Sequence, residues 1–140
     1  MSDSIFVDTN ILVYAYDSEA GERHLKARQL VAELWRREVR PHVSVQVLQE
    51  FYVNMLRKKA SRHAAGEAMR SYSTWQVIET DMSLLITATD ITEAQGISLW
   101  DALIIAAARR AGAKVLWSED LNAGQDYGGV VVVNPLAANA

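Results

Sequence analysis

Asp8, Glu50, Asp101 and Asp120 are the residues of this 140-residue chain whose types and placement suit chemistry. Asp8 ends the apolar run Ile5-Phe6-Val7, and Asp120 follows the run ending at Trp117, so both carboxylates stand just past the carboxyl ends of expected strands. Asp101 precedes Ile104 and Ile105 by three and four positions, which puts it in line with the apolar face of an expected helix. A carboxylate there is costly to bury unless it is paired or metal-bound. Glu50 shares a narrow polar seam with Gln46 and Asn54 on another expected helix. The chain has no cysteine, and His24, His42 and His63 show no metal-ligand spacing. A carboxylate-only cluster points to a hard cation, Mg²⁺ or Mn²⁺. There is no glycine-rich phosphate loop and no nucleophile-elbow serine.

Each acid also has a plainer role. Asp8 suits an N-cap, although Thr9 or Asn10 can take that place and free it. Ser98 and Asp101 have the spacing of a capping box. Glu50 on a polar seam fits a solvated helix face, and Asp120 fits a loop acid. Ser118 and Glu119 beside it offer further oxygens, so the residues alone leave the ligand here open. Asp81 reads as a cap, and Asp17 and Asp90 as helix-end and surface acids.

The elements that must position these acids alternate. Expected strands are SIFV, HVSV, QVIE, KVLW and the run of four valines before Asn134. Expected helices follow Asp8, cover 21–40 up to Pro41, start after Ser44, run from Ser61 to about Trp75, span 82–95 before Gly96, and run through SLWDALIIAAARRAG to Gly112. Strands separated by helices imply a mostly parallel sheet covered on both faces, with its site at the strands' carboxyl ends. Half the residues are hydrophobic and 22% are charged, consistent with residues 1–140 forming one domain. No signal peptide or membrane span is legible, so a cytoplasmic location is expected. The net charge of −3 argues mildly against a general nucleic-acid binder, yet Arg57, Lys58, Lys59 and Arg62 form a local basic cluster.

The segments VDTNILVYAYD, QVLQEFYVNMLRK and ISLWDALIIAAARRAGAKVLWSEDLNAGQDYGGVVVVNP, taken in order, resemble the PIN domain, and within it the VapC-like toxins of bacterial VapBC toxin–antitoxin pairs. The resemblance implies a three-layer α/β/α sandwich with a central parallel sheet. It carries the family's acids onto Asp8, Glu50, Asp101 and Asp120, and its pocket-side polar positions onto Asn10 and Ser118. It further implies Mg²⁺- or Mn²⁺-dependent RNA hydrolysis, with Glu50 as ligand or general base, a small antitoxin partner and a homodimer. Arg57, Lys58, Lys59 and Arg62 would then contact RNA phosphates. Trp100, beside Asp101, is expected in the core, with base stacking as its other role. Three other readings fit less of the sequence: a PIN nuclease of RNA processing, a phosphoacceptor receiver domain, and a non-catalytic module whose acids only cap helices.

Overall fold

Five three-residue strands form one all-parallel sheet: β1 (Ile5–Val7), β2 (His42–Ser44), β3 (Gln76–Ile78), β4 (Val115–Trp117) and β5 (Val131–Val133). The structure is a computed structural model that describes residues 4–137. Strand order is β3-β2-β1-β4-β5, so the chain starts in the middle, winds outward to β3 and then returns to the other side of β1. The reversal of winding falls between β1 and β4, which are paired in register from Ile5 opposite Val115 to Val7 opposite Trp117. A crevice opens at such a point because successive connections leave in opposite directions.

The helices are α1 (Thr9–Tyr16), α2 (Glu22–Arg36), α3 (Val45–Arg57), α4 (Arg62–Tyr72), α5 (Met82–Gln95) and α6 (Leu99–Arg110). Helix α1 packs against α2 and α3, α3 against α4, and α5 against α6, giving two helical layers around the sheet. An aromatic cluster ties the first layer together. Tyr72 is 1% exposed and meets Tyr16, Trp35, Phe51 and Trp75 at ring distances of 4.9–6.1 Å. In α6, Ala102 through Ala108 are all buried, which explains a helix so apolar on every side.

Local chemistry sets the helix starts. Ser44, Ser61, Asp81 and Ser98 each accept a hydrogen bond from the backbone N–H three residues on, as the sequence led us to expect. Two ends differ from expectation. Helix α2 stops at Arg36 rather than Arg40, because Arg37 is already extended and Pro41 disfavours helix at the residue before it. Helix α4 stops at Tyr72, and the chain turns so that Trp75 enters the aromatic cluster.

Helix α3 ends with Lys59 in the left-handed region, φ 70°, while the Lys59 and Ala60 N–H groups donate to Leu56 and Met55 carbonyls. This closing turn favours glycine. Lys59→Gly should therefore raise stability by about 0.5–1 kcal/mol in urea unfolding. An unchanged or lower midpoint would mean that Lys59 earns its place through contacts of its side chain.

Candidate active site

Asp8 lies immediately after β1 and is 8% exposed. Its N–H continues the sheet by donating to the Trp117 carbonyl at 2.9 Å. One carboxylate oxygen accepts from the Thr9 N–H at 2.7 Å and the other from the Ser118 hydroxyl at 2.8 Å. Asp8 is thus both a cap of α1 and a wall of the crevice. Ser118, fully buried after β4, also accepts from the Asp120 N–H at 3.2 Å, so one hydroxyl joins the loop carrying Asp120 to the end of β1. Burial pushes the Asp8 carboxyl up to about 6; the Ser118 and Thr9 hydrogen bonds oppose this, and Glu50 and Asp120 add to it by repulsion.

Glu50 is steadied from two sides. The Thr9 hydroxyl donates to one oxygen at 2.8 Å, and the Gln46 amide approaches the other at 3.4 Å. The polar seam of α3 is not a solvated face: Gln46 is buried, and Gln46, Glu50, Asn54 and Lys58 all line the crevice. Asp101 sits in the first turn of α6, its N–H donating to Ser98 Oγ at 3.1 Å. Burial raises its carboxyl pKa, hydrogen bonding with Ser98 opposes the rise, and the Asp120 charge adds to it.

Asp8, Glu50, Asp101 and Asp120 therefore line one crevice of about 380 Å³, with Asn10, Tyr14 and Trp100 among the other walls. Glu119 does not line it. Its carboxylate accepts from Arg23 at 2.8 Å and from the Tyr14 hydroxyl at 2.8 Å. Burial would raise its pKa, but these two partners outweigh burial and hold it below the usual range. Trp100 departs from the expectation of a core residue: it is 63% exposed at the crevice. In the first turn of α6 Leu99 packs on the core while Trp100 faces outward, and the fully buried stretch begins only at Ala102.

Of the basic residues, Lys58 lines the crevice and pairs with Asp17 at 2.8 Å. Arg57 and Lys59 line an adjoining hollow with Lys58, while Arg62 begins α4 and lines neither. Thr9 and Gln46 escaped sequence reasoning, although Thr9 adjoins Asp8 and Gln46 stands one turn before Glu50 on the seam.

The donors suit a hard divalent cation. All four acids offer oxygen, and the Asn10 side-chain amide at the crevice is buried with no hydrogen-bond partner among the described residues. Among the described residues no three Asp, Glu or His side chains already stand close enough together to hold an ion. The Asp8 and Asp101 pKa values are raised chiefly by burial and further by neighbouring acids, and a bound cation would offset both.

An acid-lined crevice at the switch point of an all-parallel α/β/α sheet defines the class of protein, and the sequence agrees. The PIN domain family matches residues 5–125, and this chain belongs to that family. The solved structure of the Mycobacterium tuberculosis toxin VapC20, described as cleaving the sarcin–ricin loop, is 25% identical with a TM-score of 0.67, covering 84% of this chain and 92% of that one. A toxin–antitoxin complex from Klebsiella pneumoniae gives 22% identity, a TM-score of 0.68 and coverage of 94% and 98%. VapBC2 from Rickettsia felis, bound to a DNA fragment from its promoter, gives 17%, 0.64, 91% and 96%. A search among curated proteins found no match. The family match leaves the receiver-domain reading without support. Among the described residues no helix is long and apolar enough to cross a membrane.

Proposed function

We propose that the chain is a divalent-metal-dependent endoribonuclease, the toxin of a type II toxin–antitoxin pair, working in the cytoplasm. The observation that carries this reading is the convergence of Asp8, Glu50, Asp101 and Asp120, drawn from four separate segments, on one crevice at the sheet's switch point. Membership of the PIN family and the likeness to VapC structures support it. The likeness to toxin–antitoxin complexes supports an antitoxin partner. A homodimer is part of the same proposal.

Asp8, Asp101 and Asp120 would hold Mg²⁺ or Mn²⁺. Bound there, such an ion acidifies water and offsets charge on a phosphate. The chain's own residues do the rest. Thr9 and Gln46 hold Glu50 in place, so that its carboxylate can orient the attacking water and take its proton. Ser118 fixes Asp8 and the Asp120 loop relative to each other, so the acids on the two strands move as a unit. Asn10 has a free amide with which to meet a phosphate oxygen or the ion. Water attack with departure of the 3′ oxygen leaves 5′-phosphate and 3′-hydroxyl ends.

Purified, antitoxin-free protein should cut cellular RNA in Mg²⁺ or Mn²⁺, with 5′-phosphates at the new ends. Asp101→Asn should slow cutting by at least about 10³-fold, the rate equivalent of several kcal/mol of lost charge stabilisation. Persistent cutting in EDTA or in Asp101→Asn would defeat the proposal. An RNA-processing nuclease would use the same residues, and the two readings separate on whether a co-expressed antitoxin suppresses cutting.

A further inference from the structure

The polar seam of α3 is also a ruler. Gln46, Glu50, Asn54 and Lys58 follow at four-residue intervals, and all four line the acid crevice. Four-residue spacing keeps side chains on one face, and the rise from Gln46 to Lys58, which caps the end of α3, is about 18 Å. At the first end, the Gln46 amide donates to the Trp100 carbonyl at 3.2 Å while approaching Glu50. The Trp100 backbone is thereby registered against the acids. Its indole, in contrast, is free: among the described residues no ring or cation packs on it, whereas Trp35 and Trp75 sit in the aromatic cluster. A tryptophan 63% exposed leaves a large apolar face in water, here beside Asp101 in a crevice whose other walls are mostly polar. At the far end, Lys58 belongs both to the crevice and to the hollow with Arg57 and Lys59.

Resting on the nuclease reading above, we propose that a single RNA strand lies along this seam, with one base stacked on Trp100 and a backbone phosphate at Lys58. The phosphate to be cut sits between them at the acids. Trp100 and Lys58 are then positioning residues that set which phosphate meets the acids. A flat aromatic face accepts any base, so Trp100 supplies affinity and alignment without reading sequence. Lys58, shared between Asp17 and the strand, supplies a salt-dependent contact. The polar crevice favours a nucleotide over an apolar protein surface as the partner of this indole, since an apolar partner would leave the surrounding carboxylates unsatisfied.

The test is binding of oligouridylate to the Asp8→Asn protein in Mg²⁺, followed by tryptophan fluorescence, with a base-free ribose-phosphate oligomer of equal length as control. Oligouridylate should quench the fluorescence and the base-free oligomer should not. Adding Trp100→Ala should remove most of the quenching and weaken oligouridylate binding roughly 5- to 100-fold, while Trp100→Phe stays within several-fold of the parent. Lys58→Ala should weaken both oligomers and lower the slope of log K against log salt by about 0.7. Unchanged binding in Trp100→Ala overturns the proposal. So does a change of sedimentation in that variant with RNA binding intact, which would make the indole a protein contact. In the otherwise wild-type chain, Trp100→Ala should raise KM for cellular RNA. Cutting by the parent with an unchanged KM in Trp100→Ala removes this inference alone, whereas no cutting by the parent removes the nuclease reading beneath it.

Discussion

Asp8→Asn is expected to make the metal-free protein more stable at pH 7 while it destroys the proposed activity. The reason is linkage. The Asp8 carboxyl titrates near 6 in the folded protein, pushed up chiefly by burial, and near 3.8 when unfolded. Below about pH 4 both states carry the proton and the shift has no effect on stability. As pH rises from 4 to 6 the unfolded chain releases its proton first, so stability falls, and above about 6 the full loss is in place. Two pKa units correspond to about 3 kcal/mol. Asparagine keeps the size, and its carbonyl can accept from the Thr9 N–H, but its amide meets a Ser118 Oγ that already accepts from the Asp120 and Leu121 N–H groups, a cost that is the same at every pH. The unfolding free energy of the variant relative to the parent should therefore rise by about 2–3 kcal/mol between pH 4 and pH 7. Urea titrations at several pH values in EDTA measure it directly. Asp101, Asp17 and Asp81 titrate in both proteins and cancel in the difference. A variant less stable than the parent at pH 7 would mean that Asp8 serves as a cap whose charge helps the helix, and the site reading would lose its strongest support.

Much of this arrangement was legible because it depends on short-range chemistry. Ser44, Ser61, Asp81 and Ser98 announce helix starts by their own hydrogen bonds, and an acid directly after an apolar run announces a strand end. The parallel sheet and its α/β/α layering followed from the alternation of elements. What stayed hidden was set by residues distant in sequence. Asp120 is the expected ligand, but Glu119 beside it leaves the choice open on paper, and Arg23, nearly a hundred positions earlier, draws Glu119 away together with Tyr14. Trp100 was expected in the core because a helix apolar on all sides gives no periodicity from which to tell its exposed first turn. The α3 seam looked like a solvated face because Gln46, Glu50 and Asn54 are polar. Gln46 is in fact buried and Glu50 half-buried, because α6 and α1 meet them through the Trp100 carbonyl and the Thr9 hydroxyl.

Mn²⁺ should reverse the order of stability that EDTA reveals. If Asp8, Asp101 and Asp120 hold the ion, its charge offsets the burial that chiefly raises the first two carboxyl pKa values and the smaller repulsion from neighbouring acids, and binding stabilises only the folded chain. At one hundred times the dissociation constant the gain is about 2.7 kcal/mol, which for a chain of this size raises Tm by about 8–10 °C. The gain should shrink below about pH 6, where a proton on Asp8 competes with the ion. Asp8→Asn, the more stable protein in EDTA, should gain little and end below the parent. The neighbouring acids then provide the decisive comparison. Asp120→Asn should lose most of the Mn²⁺-induced rise, because Asp120 lines the crevice. Glu119→Gln should keep it, because that carboxylate is committed to Arg23 and Tyr14. Equal rises in all four proteins would show that Mn²⁺ binds elsewhere, and the four acids would return to the roles of caps and crevice walls.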